Sequence, residues 1–504
     1  MYRCSPATRR LLTAPHARNT PPLRLLPSLA RTQPYSSNAG SGDGPGFTRR
    51  TRFIGLAVAG GALLWYVSRK RRVAVAERHR QRGRRDNELP EVSGADADGP
   101  PGSPVKVVDW AEVAGRIRQQ ATSFRFDGHG GARGRIDAVR FESNCPTEDR
   151  WAVGVGEGVG GAKTVYAGIY DGHAGWACAE VLRNKLIPYV SAMLAPLAPD
   201  AAGDAVDTAI QQAFCRLDDQ IMAAGRAAVT DTTSPVDAAA MSALAPAIAG
   251  SCALMAVYDT QTSTLRTAVT GDSRAVLGSW SSATGTHAAS ALSADQTGFN
   301  ADEVARLDAA HPGEKSAILD DKTGRLMGLA VTRAFGDHRW KYEQALVERL
   351  QKRFAGYAPR KASATPPYLT ARPEVTTTRG VKGEDFVVMA SDGLWDVISN
   401  EDAVACVAQW LQARKGRKGN KGGQVVREAN WKYDEEGWAS YKATPEYFAV
   451  GEDLDNAAVC LLRNALGGTR RSIVQGLVTT TTPLSRSVRD DITIQVIFFK
   501  DPYE

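Results

Sequence analysis

The sequence predicts an α+β fold in which packed β-sheets are covered by helices. Amphipathic stretches with helical periodicity follow Gly175, Asp204, Asn300 and Asn400. Between these stretches lie runs of strand length that are rich in β-branched and aromatic residues. The runs are TVYAGIY at 164–170, CALMAVY at 252–258, LRTAVT at 265–270, FVVMA at 386–390 and ITIQVIFF at 492–499.

Charge is distributed unevenly along the 504 residues. Residues 1–85 contain 18 Lys and Arg against two acids, which leaves 44 basic and 53 acidic residues in the remainder. The formal net charge of +7 therefore belongs to the N-terminal segment. Because the main body is net negative, the sequence predicts no nucleic-acid partner. A net negative charge in the main body is typical of a protein that binds cations.

The N-terminal segment has the composition of a targeting sequence. Residues 1–42 contain six arginines and no acid, and they are rich in Ser, Thr, Pro and Leu. This composition predicts a mitochondrial transit peptide, and a disordered basic tail is the alternative. The seven cysteines of the chain form no Cys-x-x-Cys pair, which argues against a disulfide framework and a zinc cage.

An uncharged apolar run, FIGLAVAGGALLWYV, begins at Phe53 and is bracketed by arginines. At about 1.5 Å per residue it covers roughly 22 Å, less than the roughly 30 Å of a hydrocarbon core. We predict that residues 53–68 form a single inner-membrane anchor that depends on its flanks. The alternatives are a cleaved sorting signal and a buried hydrophobic helix.

The remaining composition divides the chain into a linker and one catalytic domain. Residues 73–104 are charged and then rich in Gly, Pro, Asp and Ser, which predicts a linker. We expect the folded domain over residues 105–500. Within it, the segment ARKGRKGNKGG at 413–423 has too few apolar residues to contribute to a core, so we predict a surface insertion there.

Short acidic turns adjoin four of the strand-like runs. These turns are DGHAG at 171–175, GDSR at 271–274, SDGLWD at 391–396 and RDD at 489–491, and SNCPTEDR at 143–150 adds an acidic pair. A single Asp-Gly pair is weak evidence because turns favour both residues. Repeated at strand ends, the acids predict a carboxylate cluster that requires cations. Ligand sets made only of oxygen favour Mg²⁺ or Mn²⁺.

Six motifs in this order, DGHAG, GDSRA, LSADQ, VTRAFGD, SDGLWD and RDD, resemble those of the PPM or PP2C-type metal-dependent serine/threonine protein phosphatases. The stretches SNCPTEDR, NADEVARLDAAHP and RLMGLAVTRAFGD are similar to those of the mitochondrial pyruvate dehydrogenase phosphatases. The resemblance implies a four-layer α-β-β-α fold, in which a central sandwich of two antiparallel sheets is flanked by helices. It also implies a binuclear metal centre at one end of the sandwich.

The same resemblance implies direct ligands for two Mg²⁺ or Mn²⁺ ions. Asp171 would bridge the two ions, and Gly172 would offer its carbonyl oxygen. Asp392 and Asp490 would complete the direct protein ligands.

The resemblance also implies an outer ring of acids. Glu148 and Asp149 would hold metal-bound waters. Asp272 and Asp396 match positions that are linked to a weaker third ion. For Asp272, a simple turn aspartate is the alternative.

The predicted chemistry is attack on phosphorus by water that two metal ions activate, without a covalent intermediate. His173, beside the bridging Asp171, is placed to protonate the departing Ser or Thr oxygen as general acid, and packing within the turn is the alternative. Asn144 stands where many family members carry an arginine that binds the substrate phosphate. Arg140 or Arg150 would then compensate, and simple solvation of both is the alternative. Arg333 is interpreted either as a residue near the substrate that orients the loop or an outer ligand, or as part of a structural salt bridge.

We therefore predict a metal-dependent phosphatase of phosphoserine and phosphothreonine in mitochondrial proteins, with pyruvate dehydrogenase E1 as a candidate substrate. A stop-transfer anchor would place the domain in the intermembrane space, whereas pyruvate dehydrogenase lies in the matrix, so the membrane side stays open. The alternatives are an inactive scaffold, which would have lost a metal ligand, and a metal-dependent hydrolase of small phosphate esters.

Overall fold

A computed structural model describes residues 108–419, apart from 232 and 234, and residues 441–504. Two antiparallel sheets form its centre. The six-stranded sheet has the order β1-β2-β14-β13-β9-β10, and the five-stranded sheet has the order β12-β8-β7-β4-β3. A small third sheet has the order β11-β6-β5. The strands are β1 (Thr122–Asp127), β2 (Arg133–Phe141), β3 (Arg150–Glu157), β4 (Lys163–Tyr170), β5 (Gly172–His173), β6 (Gly250–Ser251), β7 (Ala253–Asp259), β8 (Thr264–Thr270), β9 (Arg274–Ser281), β10 (Thr286–Ala291), β11 (Phe335–Gly336), β12 (Glu374–Thr378), β13 (Phe386–Ala390) and β14 (Ile492–Phe498).

The α-helices pack outside the sheets, and several begin where the sequence places them. The side chain of Asp109 caps the first helix, and that of Asn300 caps the helix that starts at Ala301. The helices are α1 (Trp110–Arg118), α2 (Ala177–Leu194), α3 (Gly203–Thr230), α4 (Ala238–Ile248), α5 (Ala301–Ala310), α6 (Lys315–Ile318), α7 (His338–Lys341), α8 (Gln344–Phe354), α9 (Asp392–Trp395), α10 (Asn400–Gly419), α11 (Ala457–Ala465) and α12 (Arg471–Thr479).

Both faces of the central strands are buried, which explains why these strands are continuous apolar runs in the sequence. Val387 and Met389 of β13 point into the layer between the sheets, together with Ile497 of β14. Their neighbours Val388 and Val496 face the opposite side and pack with helices α10 to α12. Side chains alternate between the two faces of a strand, so each strand contributes to two cores.

Helices α2, α3 and α4 cover the outer face of the five-stranded sheet with a further core. The layers are therefore helices, sheet, sheet and helices. This arrangement confirms the predicted α+β sandwich, and all five predicted strands are present.

The predicted transit peptide, the 53–68 anchor and the 73–104 linker lie outside the described residues. Among the residues that are described, no helix has both the length and the apolarity needed to cross a membrane. Of the predicted insertion at 413–423, residues 413–419 belong to helix α10, and residues 420–423 lie outside the described residues. Arg414 there donates to the carbonyl oxygen of Leu454 (2.6 Å) and lies over the ring of Tyr503.

Candidate metal centre

The acidic turns meet because the strands are antiparallel. In the six-stranded sheet, Phe141 pairs with Ile492, and Ala390 pairs with both Ile494 and Arg274. In the five-stranded sheet, Arg150 pairs with Tyr170. The last residues of β2, β4, β8 and β13 therefore lie at the same end of the sandwich as the first residues of β3, β9 and β14. The register brings the acidic turns to one end within each sheet, and the hydrogen bond from Ser391 after β13 to Asp149 before β3 joins those ends of the two sheets.

Three carboxylates form the centre of this end. One oxygen from each of Asp171, Asp272 and Asp392 lies within 4.8 Å of the other two. All three residues are partly buried, and none forms an ion pair within the described part of the chain. Burial raises the pKa of Asp171 well above its usual value, and the charges of Asp392, Asp149 and Asp272 raise it further. Such a cluster of carboxylates without a cationic partner in the described residues fits a hard divalent cation.

Glycine at 172 allows the turn after β4 to approach its neighbour closely. A Cβ atom at this position would lie 2.4 Å from the carbonyl oxygen of Glu148. Gly172 also pairs with Ser251 in the small sheet, which fixes the backbone next to Asp171. Glycine follows Asp171 in this motif because a larger residue would clash with Glu148, in addition to the chemical role of the motif.

Asp491 is a buried acid at this end of the sandwich to which the sequence analysis gave no role. One oxygen of its buried carboxylate accepts from the backbone N–H of Ser143 (2.5 Å) and Asn144 (3.1 Å). The other oxygen accepts from the hydroxyl of Thr147 (2.9 Å) and the N–H of Glu148 (2.8 Å). Burial acts to raise the pKa of Asp491, but these hydrogen bonds outweigh it and hold the pKa below its usual value. Asp491 therefore shapes the turn that presents Glu148.

The predicted Glu-Asp pair divides into an outward and an inward residue. Glu148 accepts from the N–H of Gly175 (2.6 Å) and from the side-chain amide of Asn144 (3.2 Å). Asp149 is buried and accepts from the hydroxyls of Ser391 (2.9 Å) and Thr493 (2.6 Å). Burial and the charge of the nearby Asp491 raise the pKa of Asp149 to about 7.

Two predicted ligands lie apart from the three-carboxylate group. Asp490 is half-exposed, and its carboxylate pairs with Arg486, four residues earlier in the chain. Its backbone is nevertheless adjacent to the turn after β13, because a Cβ atom on Gly393 would lie 3.2 Å from that of Asp490. Asp396 is exposed, and its carbonyl oxygen accepts from Lys442.

His173 is held by a partner that is 164 residues away in the sequence. Its Nε2 lies 2.6 Å from Oδ2 of Asp337, which is 2% exposed and has a left-handed backbone conformation (φ 58°). Gly250 flanks the pair so closely that a Cβ atom there would lie 2.0 Å from Nε2 of His173. Burial acts to lower the pKa of His173, but the charge and hydrogen bond of Asp337 outweigh it and raise the pKa.

The arginines considered for phosphate binding are occupied elsewhere. Arg333 donates to Glu303 (2.5 and 2.9 Å) and to Glu374 (2.8 Å), which matches the salt-bridge interpretation. Arg140 donates to the carbonyl oxygen of Asp149 (2.7 Å) and to Gln120. Arg150 donates to Glu180 (2.7 Å) and to two backbone carbonyls, one of them that of Asp149. The predicted compensation for Asn144 by Arg140 or Arg150 is therefore not supported by their contacts.

Comparison with known proteins identifies the family. A family model described as Protein phosphatase 2C matches residues 156–429. The chain belongs to the protein phosphatase 2C family. A protein phosphatase 2C homolog of Schizosaccharomyces pombe is 38% identical over 375 residues, which cover 73% of this chain and 80% of the relative.

Two further relatives have mitochondrial pyruvate dehydrogenase (acetyl-transferring) phosphatase names. Phosphatase 1 of Saccharomyces cerevisiae is 32% identical over 441 residues, covering 79% of this chain and 74% of the relative. Phosphatase 2 of Homo sapiens is 29% identical over 433 residues, covering 72% and 78%. The predicted class, a serine/threonine protein phosphatase similar to this group, is confirmed. The protein phosphatase 2C family is metal-dependent, and the acidic cluster is consistent with that property.

Proposed function

We propose that this phosphatase hydrolyses phosphoserine and phosphothreonine with two Mg²⁺ or Mn²⁺ ions bound at the acidic cluster. The observation that carries the proposal is the group formed by Asp171, Asp272 and Asp392, whose carboxylates lie together without an ion pair in the described residues. Asp171 would bridge the two ions, with Asp392 and the carbonyl oxygen of Gly172 as further ligands. Asp490 would join them by exchanging Arg486 for a metal ion.

The outer acids would have unequal parts. Glu148 and Asp149 would hold water molecules on the ions. Asp272 would bind a third ion or help to hold the first two, because it lies in the cluster itself. Asp396 would contribute to a third ion from its exposed position at the end of α9.

When bound, the ions supply an activated water and shield the negative charge of the phosphoryl group. Residues of the chain itself position the group that protonates the leaving oxygen. Because Nε2 of His173 is hydrogen-bonded to Asp337, its other ring nitrogen, Nδ1, would deliver a proton to the departing Ser or Thr oxygen. Asp337 would keep the ring in that orientation.

Phosphate release from a phosphothreonine peptide tests this proposal. We expect the full chain to require Mg²⁺ or Mn²⁺ and to lose activity in EDTA. Turnover that EDTA leaves unchanged would contradict the metal mechanism. Similar turnover of sugar phosphates and phosphopeptides would favour a general phosphate-ester hydrolase.

We further propose that the protein acts in mitochondria, with pyruvate dehydrogenase E1 as a substrate and with residues 53–68 as an inner-membrane anchor. Support for the location comes from the acid-free N-terminal 42 residues and from the names of the relatives. Alkaline carbonate extraction of mitochondria tests the anchor, and protease protection determines the membrane side. Unchanged E1 phosphorylation after loss of the protein would reject the substrate and leave the enzyme class intact.

A further inference from the structure

Among the residues that the structure describes, the guanidinium group of Arg360 has no anionic partner. Its Cζ lies 4.3 Å from the centre of the Trp340 ring, so the group is held in place by stacking. Its Nε is buried and donates to no acceptor. Across the described residues, no carboxylate lies within ion-pair distance of this group. Arginine carries five donors, and because Arg360 as a whole is only partly buried, the donors other than Nε can reach an external acceptor.

A second arginine lies beside the first and also lacks a carboxylate partner in the described part of the chain. Arg339, in helix α7, donates through Nε and Nη2 to the carbonyl oxygen of Ala358 (2.9 and 2.6 Å). This contact ties the segment that carries Arg360 to α7. Burial and the charge of Arg360 lower the pKa of Arg339, so the two cations are close enough to repel each other. An anion bound between them would relieve that repulsion.

The two arginines adjoin the proposed proton donor. Helix α7 begins directly after Asp337, whose carboxylate is hydrogen-bonded to His173. Burial acts to lower the pKa of Arg360, and the charge of Asp337 acts in the opposite direction. Asp337 is therefore near Arg360, but its Oδ2 is engaged by His173. The turn at Gly328 also approaches, since a Cβ atom there would lie 3.4 Å from Nη1 of Arg360.

We propose that Arg360, supported by Arg339, binds an anionic group of the phosphoprotein substrate. The group is either the phosphoryl group itself or a carboxylate next to the phosphorylated residue. This inference rests on the proposed function. Arg360 would supply a positive charge for the substrate in a site where position 144 carries an uncharged asparagine. Arg140 and Arg150 are already bound to backbone carbonyls. Arginine suits the part because its planar fork can bind two oxygens at once.

Steady-state kinetics of the full chain in Mn²⁺ test the inference with Arg360→Ala and Arg360→Lys. The substrates are p-nitrophenyl phosphate, a phosphothreonine peptide with neutral flanks and the same peptide with glutamates beside the phosphothreonine. Loss of one charge-assisted contact predicts that KM rises roughly tenfold in the alanine variant, with partial rescue by lysine. Arg349→Ala, on the exposed face of α8, is the charge-matched control.

The pattern across substrates identifies the bound group. If KM rises for all three and inorganic phosphate inhibits less well, Arg360 contacts the phosphoryl group. If KM rises for the acidic peptide alone, Arg360 contacts a flanking carboxylate. Unchanged KM for every substrate, or equal changes in Arg349→Ala, would overturn the inference.

Two further measurements separate this inference from the proposed function and from misfolding. Calorimetric binding of inorganic phosphate to the Mn²⁺-loaded protein does not depend on turnover. A wild-type chain that binds phosphate but hydrolyses none of the substrates would refute the proposed function. In that case the same titration of Arg360→Ala would still show whether Arg360 contacts the phosphoryl group. The melting temperature of Arg360→Lys, which keeps the charge and the stacking position, shows whether the fold is intact.

Discussion

The substitution Gly250→Ala should separate the proton-transfer step from the rest of the reaction. The added Cβ atom would lie 2.0 Å from Nε2 of His173 and 2.3 Å from Oδ2 of Asp337. Non-bonded heavy atoms prefer about 3.5–4.0 Å, so the imidazole must move by more than 1 Å or lose its 2.6 Å contact with Asp337. Either change removes Nδ1 from the position proposed for the general acid.

General acid–base catalysis contributes roughly 10²- to 10⁴-fold to a rate. We therefore expect kcat for a phosphothreonine peptide to fall at least about a hundredfold in Gly250→Ala. Hydrolysis of p-nitrophenyl phosphate should fall much less, because its leaving group is a stable phenolate that needs little protonation. The assay is steady-state phosphate release in saturating Mn²⁺ with the two substrates side by side.

A second glycine-to-alanine substitution, at a position where the added methyl group has no steric contact, is the matched control. Gly115 lies in α1, and a Cβ atom added there would have no heavy atom within 4 Å, so Gly115→Ala should keep full activity and stabilise the helix by about 1 kcal/mol. Equal losses on both substrates in Gly250→Ala, with unchanged Mn²⁺ affinity, would refute the general-acid role of His173. Full activity on the phosphopeptide would show that the contact is not required.

Asp171→Asn or Asp392→Asn should reduce Mn²⁺-dependent turnover by at least roughly a hundredfold, yet raise the melting temperature in EDTA because one of the repelling carboxylates is gone. For Asp149, folding raises the pKa to about 7, so the unfolded chain ionises first and stability falls as pH rises from about 4 to 7. In EDTA, the free energy of unfolding of the wild type should therefore fall relative to that of Asp149→Asn as the pH rises over this range. A difference between the two proteins that stays constant with pH would contradict the raised pKa of Asp149. Asp491→Asn should destabilise the fold by roughly 2–4 kcal/mol in urea denaturation, whereas exposed Asp308→Asn should have little effect.

Strands that are buried on both faces were predictable from their composition. FVVMA contains no polar residue and ITIQVIFF contains only Thr493 and Gln495, because one face packs between the sheets and the other packs against helices. Strand β2 was not predicted, because its sequence RGRIDAVRF is interrupted by charges. Arg135 and Asp137 of β2 are buried as an ion pair (2.6 Å), and no local pattern in the sequence reveals such a pairing.

The sequence analysis left Asp491 and Asp337 without a role. Asp490 and Asp491 are adjacent acids in the motif RDD, and the motif alone does not say which carboxylate accepts from the turn at 143–148. The hydrogen bonds of Asp491 decide this point. Asp337 was included in VTRAFGD, but its contact with His173 spans 164 positions and depends on a left-handed backbone.

The hydrogen bonds of the buried acids indicate which of them serve the fold and which require a cation. Asp491 and Asp149 accept from backbone N–H groups or hydroxyls, so their charge or their proton is accommodated by the protein itself. Within the described residues, the carboxyl groups of Asp171 and Asp392 accept from no N–H group and from no Ser, Thr or Tyr hydroxyl, and each has only the other carboxyl group as a hydrogen-bond partner. Burying acids in this way is unfavourable unless something else neutralises them. The distinction follows from the hydrogen-bond donors around each acid, and it supports the proposal that Asp171 and Asp392 bind the metal ions on physical grounds that are independent of the family motifs.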